Sequence, residues 1–86
     1  MAKENKSGLP QINLGMGDFF HQVPESVNFE IMIVYKLGTA PNDFINPVDT
    51  FAVEGEYLVI TNRLSEYTYR IQIKKLKAAY LVPMGD

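Results

Sequence analysis

Cysteine and tryptophan are absent from these 86 residues, and histidine occurs once. Without cysteine there is neither a disulfide framework nor a thiolate metal site. A lone imidazole, His21, leaves any zinc or iron site to a mostly carboxylate shell. No apolar run approaches the roughly 20 residues of a membrane-spanning helix. The opening MAKENKSG lacks the apolar core of a secretory signal. These absences set the expectation of a cytoplasmic protein without a cofactor.

Charge is also scarce in the net, at −2, but it is unevenly spread. Asp18, Glu25, Glu30 and Asp43 stand against Lys36 in residues 9–48, and Asp49, Glu54 and Glu56 follow in 49–62. Arg63, Arg70, Lys74, Lys75 and Lys77 then stand against Glu66. The chain therefore ends in a basic third.

What is present is β-forming sequence, densest from Asp49 to Ile73. Tyr67, Tyr69, Ile71 and Ile73 alternate with Thr68, Arg70 and Gln72, the period-two pattern of a half-buried strand. EYLVITN at 56–62 is equally rich in strand formers. A two-residue hairpin loop at Glu54-Gly55 would pair Phe51 with Leu58 and Asp49 with Ile60. A four-residue loop at Arg63–Glu66 would pair Leu58 with Ile71 and Ile60 with Tyr69. Both turns then place Phe51, Leu58, Ile60, Tyr69, Ile71 and Ile73 on one face. Thr50, Ala52, Tyr57, Val59, Thr61, Thr68, Arg70 and Gln72 fall on the other. A slip of one residue would exchange the faces.

Val27–Tyr35 reads as another strand, with Val27, Phe29, Ile31, Ile33 and Tyr35 on one parity. Leu9–Leu14 suggests a short extended segment, and Gly15-Met16-Gly17 a joint. Asp18 is placed to cap one helical turn carrying Phe19 and Phe20, which Pro24 would stop. The two phenylalanines are expected to anchor one end of the core; exposed docking aromatics are the sharper alternative. Lys36–Val48, broken by Gly38, Pro41, Asn42, Asp43, Asn46 and Pro47, reads as a long loop. For Lys74–Val82 a one-turn 3-10 bend at Lys74–Lys77 followed by a strand is preferred to a helix, because Pro83 cuts the apolar run short.

The expected fold is mainly β: a small antiparallel barrel or curved sheet of about five strands with at most one short helical turn. A disordered N-terminal arm at 1–8, a single domain at 9–83 and a loose tail at 84–86 complete the layout.

Few residues suggest chemistry. His21 lies near Asp18 and Glu25, half of several catalytic devices, but no nucleophile completes it. The carboxylates Asp43, Asp49, Glu54 and Glu56 lack the spacing of a calcium loop. Gly15-Met16-Gly17 lacks the third glycine and the βαβ setting of a dinucleotide fingerprint. The set most able to bind is Tyr57, Arg70, Lys74, Lys75 and Lys77. Aromatic platforms beside cations on small barrels hold single-stranded nucleic acid. Against that, Tyr67 and Tyr69 fall on the core face, and the acidic net charge opposes strong phosphate binding. A solvated charged turn is the ordinary account of the lysines. The leading expectation is a non-enzymatic binding or assembly module, acting through a protein partner or self-association. Nucleic acid is the alternative, and no metal, membrane or small-molecule cofactor is implied.

Overall fold

Strand-forming residues, alternating with polar ones in places such as Tyr67–Ile73, dominate the chain, and they produce strands. The computed structural model describes residues 10–15, 17–38 and 40–84. In order these form β1 (Phe19–Gln22), β2 (Phe29–Tyr35), β3 (Asp43–Ile45), β4 (Val48–Glu54), β5 (Tyr57–Asn62), β6 (Thr68–Gln72), a 3-10 turn (Ile73–Lys75) and β7 (Leu76–Pro83). The mainly β expectation holds. Seven strands replace the expected five or so, and they lie in two antiparallel sheets with no closed barrel among the described residues. One sheet runs β1-β4-β5-β6 and the other β3-β2-β7.

The strand count was low because two strands are too short for a period to register. β1 replaces the helical turn expected at Asp18–Gln22: it pairs with β4, Phe19 opposite Val53 and His21 opposite Phe51. Asp18 still acts as a cap, but for a hairpin. Its carboxylate accepts the Gly55 N–H at 2.9 Å. β3 interrupts the expected loop at Lys36–Val48, and a cis Asn46–Pro47 peptide leads from it into β4.

The β4–β5 hairpin turns at Gly55-Glu56, one position later than expected, so that Glu54 faces Tyr57, Val53 faces Leu58 and Phe51 faces Ile60. Gly55 takes φ +62°. That conformation is required at the first position of a II′-type loop, where glutamate would be strained. Moving the turn by one residue shifts the pairing by two, so both faces keep their members. The β5–β6 register agrees with expectation, Leu58 opposite Ile71 and Ile60 opposite Tyr69. The final segment also agrees, a 3-10 turn followed by a strand.

Two bulges adjust the alternation. The β4–β5 ladder skips at Asp49, which lets Val48 and Phe51 both face inward. The β2–β7 ladder skips between Leu76 and Ala78, both buried, and leaves Lys77 outside.

Both sheets feed one core. Ile31, Ile33, Ile45, Leu76 and Ala79 come from the three-stranded sheet, and Val48, Phe51, Val53, Leu58 and Ile60 from the four-stranded one. Tyr69, Ile71 and Ile73 pack against it. The extended segment before β1 adds Ile12. Its N–H donates to the Ala79 carbonyl at 2.8 Å, and the Leu81 N–H donates to the Pro10 carbonyl at 2.9 Å. Met84, the one described residue of the expected tail, donates its N–H to the Asn28 carbonyl. The expectations for residues 1–8, for Met16 and for Gly85-Asp86 lie outside the described residues.

Candidate interaction surface

Strands β1, β4, β5 and β6 bury one face, so every second residue is left on the other. The registers arrange these residues in rows: Phe20, Ala52, Val59 and Arg70 across the middle, with Gln22, Thr50, Thr61 and Thr68 beside them. Glu54, Tyr57 and Gln72 form a third row. Every outward residue expected from β4, β5 and β6 lies there.

Tyr57 and Arg70 are brought together. The guanidinium carbon sits 5.1 Å from the Tyr57 ring centroid. A guanidinium nitrogen of Arg70 is also 3.6 Å from Glu54 Oε1, with both side chains about half exposed. Contacts this open are each worth about 0.5 kcal/mol or less for the ion pair and up to about 1 kcal/mol for the cation–π pair. Their consequence is directional. Arg70 leans across β5 towards β4 and away from the outer edge of β6.

The three lysines are elsewhere. Lys74 and Lys75 project from the 3-10 turn, and Lys77 is the extra residue of the β7 bulge. All three are exposed. Lys74 helps line an open depression of about 550 Å³ with Leu14, Gly55, Glu56 and Ile73.

Phe20 and Glu54 belong to the face and were not among the expected binding residues. Phe20 is 66 % exposed, whereas Phe19 is half-buried and meets Phe51 edge-on at 6.1 Å. Phe19 thus takes the anchoring place expected of the pair, and Phe20 is left exposed. Ala52, flanked in register by Phe20 and Val59, is 3 % exposed although it faces away from the core.

Arg63, the first cation of the basic third, is a structural residue. Its terminal nitrogens donate to the carbonyls of Val23, Pro24, Glu25 and Val27 at 2.7–3.3 Å. Its Nε is buried and lies 3.6 Å from the Asp49 carboxylate. That carboxylate, set out by the β4 bulge, also accepts from the Gln22 side chain at 3.0 Å.

His21 is exposed and lies against the Phe51 ring, centroids 5.1 Å apart. Among the described residues no three His, Asp or Glu side chains gather as a metal site, and no helix is long and apolar enough to cross a membrane. Comparison with protein-family models, curated proteins and solved structures finds no match for the chain.

The strand edges complete the surface. β7 is covered by residues 10–12 through the two hydrogen bonds described above. On β3 the outward N–H belongs to Phe44, and the Asp43 carboxylate accepts it at 2.9 Å. Among the described residues β6 has neither protection. Asn62 N–H bonds the Tyr67 carbonyl and Ile73 N–H bonds the Glu56 carbonyl. With that phase, Tyr69 and Ile71 bond inward to β5, and Thr68, Arg70 and Gln72 aim their N–H and C=O groups outward. The outward N–H groups and the Thr68 and Arg70 carbonyls have no backbone partner among the described residues, whereas the Gln72 carbonyl opens the 3-10 turn.

Proposed function

We propose that the chain is a non-enzymatic binding or assembly module, whose protein contacts run over the open side of the four-stranded sheet. The observation that carries this reading is the pairing of a partly apolar sheet face, with Phe20 exposed at its centre row, and an unprotected β6 edge beside it. Unprotected edges invite pairing with another chain, and natural folds ordinarily block them. An exposed aromatic framed by threonine, glutamine and one balanced ion pair suits a protein contact better than a phosphate backbone. A curved, open sheet belongs to this reading, since closure would remove the β6 edge, as does a cytoplasmic setting.

Nucleic acid is the second reading, supported by the Tyr57–Arg70 stack on an open sheet. The Glu54 carboxylate beside Arg70 opposes it, because it offsets the one cation on that face.

Static light scattering on the wild type and on Phe20→Asp, beside titrations of labelled single-stranded DNA and RNA at low salt, separates the two. The proposed reading expects mass to rise with concentration, or a bound protein partner to be lost on Phe20→Asp, with no nucleic-acid binding. A monomer that binds nucleic acid in a salt-sensitive way would overturn it.

A further inference from the structure

The β6 edge carries a more specific inference, which rests on the reading of the chain as an assembly module. We infer that β6 pairs antiparallel with β6 of a second copy of this chain, about a two-fold axis at Arg70, joining two four-stranded sheets into one continuous sheet.

The outward backbone groups belong to Thr68, Arg70 and Gln72, which are equally spaced. In an antiparallel pair centred on Arg70, Thr68 of one copy meets Gln72 of the other and the two Arg70 backbones meet each other. All three are hydrogen-bonded positions, so every outward N–H of the strand gains an acceptor, the Gln72 carbonyl being shared with the 3-10 turn it opens. On the core-side face the same register sets Tyr69 of one copy opposite Ile71 of the other, an aromatic–β-branched pair of the kind that stabilises sheets. Both side chains are only partly buried in the single chain, and Tyr67, which is 60 % exposed, packs edge-on to Tyr69 at 4.7 Å. The added strand would cover these rings. On the outer face threonine meets glutamine.

Like charges at the axis are the obvious objection, and the structure answers it. Arg70 is drawn over Tyr57 and towards Glu54 on its own sheet, away from the edge and already beside a carboxylate. The one charge that would guard β6 is therefore turned inward. A second copy is the occupant because the edge is self-complementary. The opposite edge, β1, presents only Phe20 and Gln22 outward before Pro24. Pairing of β6 with β6 is isologous and closes as a dimer, whereas pairing of β6 with β1 would propagate.

Gln72 supplies a clean test. Its φ is −66°, the value proline imposes, and its N–H points outward, so Gln72→Pro keeps the strand and removes one donor from each copy. The dimer dissociation constant is expected to rise about tenfold or more, with the circular dichroism and melting temperature of the monomer unchanged. In the wild type, hydrogen exchange at the Thr68, Arg70 and Gln72 amides is expected to slow as concentration rises from micromolar to millimolar. Amides that exchange freely at every concentration would overturn the pairing. So would protection independent of concentration, which means that a segment of the same chain fills the edge. Self-association that persists in Gln72→Pro with the Thr68 and Arg70 amides unprotected refutes the edge pairing and leaves the assembly reading standing. A monomer throughout, with no partner lost on Phe20→Asp, refutes both.

Discussion

Arg63 illustrates how one side chain can be spent on the fold. Four carbonyls of the 23–27 loop converge on its guanidinium, and Asp49 stands beside its Nε. Arg63→Ala would strand acceptors that the planar fork now satisfies, at a cost of about 2–4 kcal/mol in a urea unfolding curve. Arg63→Lys is expected to recover less than half, because an ammonium cannot span the same fork. Phe19 and Phe20 make the complementary contrast. Phe19→Ala is expected to cost about 2 kcal/mol for its half-buried ring. Phe20→Asp stays within about 0.5 kcal/mol of wild type and acts on association instead. Tyr35 gives a pH signature. Burial, and then the Asp43 carboxylate, push its hydroxyl above the usual 10.0. A raised value in the fold means stability that is whole below pH 10.0 and lost as pH climbs through the shifted value. Tyr35→Phe should flatten that alkaline limb in melts taken at increasing pH.

Among the elements, the β4–β5 hairpin shows what was readable in the residues and what was not. Gly55 announced a turn, and alternation announced the faces. The choice between Glu54-Gly55 and Gly55-Glu56 depended on which loop position needs positive φ, and on the Asp18 carboxylate 37 residues earlier in the chain. Gly55→Ala is expected to cost about 1 kcal/mol by equilibrium unfolding, from backbone strain alone, because an added Cβ would meet nothing within 4 Å. β6 was legible from its alternation, β5 from its density of strand formers, and β7 from an apolar run that Pro83 cuts too short for a helix. β1 and β3 hold four and three residues. They become strands only because β4 and β2 offer hydrogen-bonding edges, a tertiary cause with no local periodicity behind it. Arg63 escaped for the same reason: its partners lie 36–40 residues away and are carbonyls, which no residue type marks. Of the expected binding set, Tyr57 and Arg70 were legible as neighbours through the register. The lysines were grouped with them by sequence proximity, and the 3-10 turn carries them towards the other sheet.

On the scale of the molecule, a chain of 86 residues makes two small sheets that share one core. Domains of this size keep a narrow margin of stability, so a partner surface serves the fold as well as any function. Three of the four sheet borders are short, capped or covered. The fourth, β6, is the longest border strand left uncovered among the described residues, and its arginine is turned back over its own sheet. Sedimentation velocity of the full chain, from micromolar to millimolar concentration, tests this account most directly. The account predicts a weight-average sedimentation coefficient that climbs towards the value of a dimer, with Gln72→Pro lagging behind at every concentration. A wild-type chain that sediments as a 9.7 kDa monomer across the whole range would contradict it.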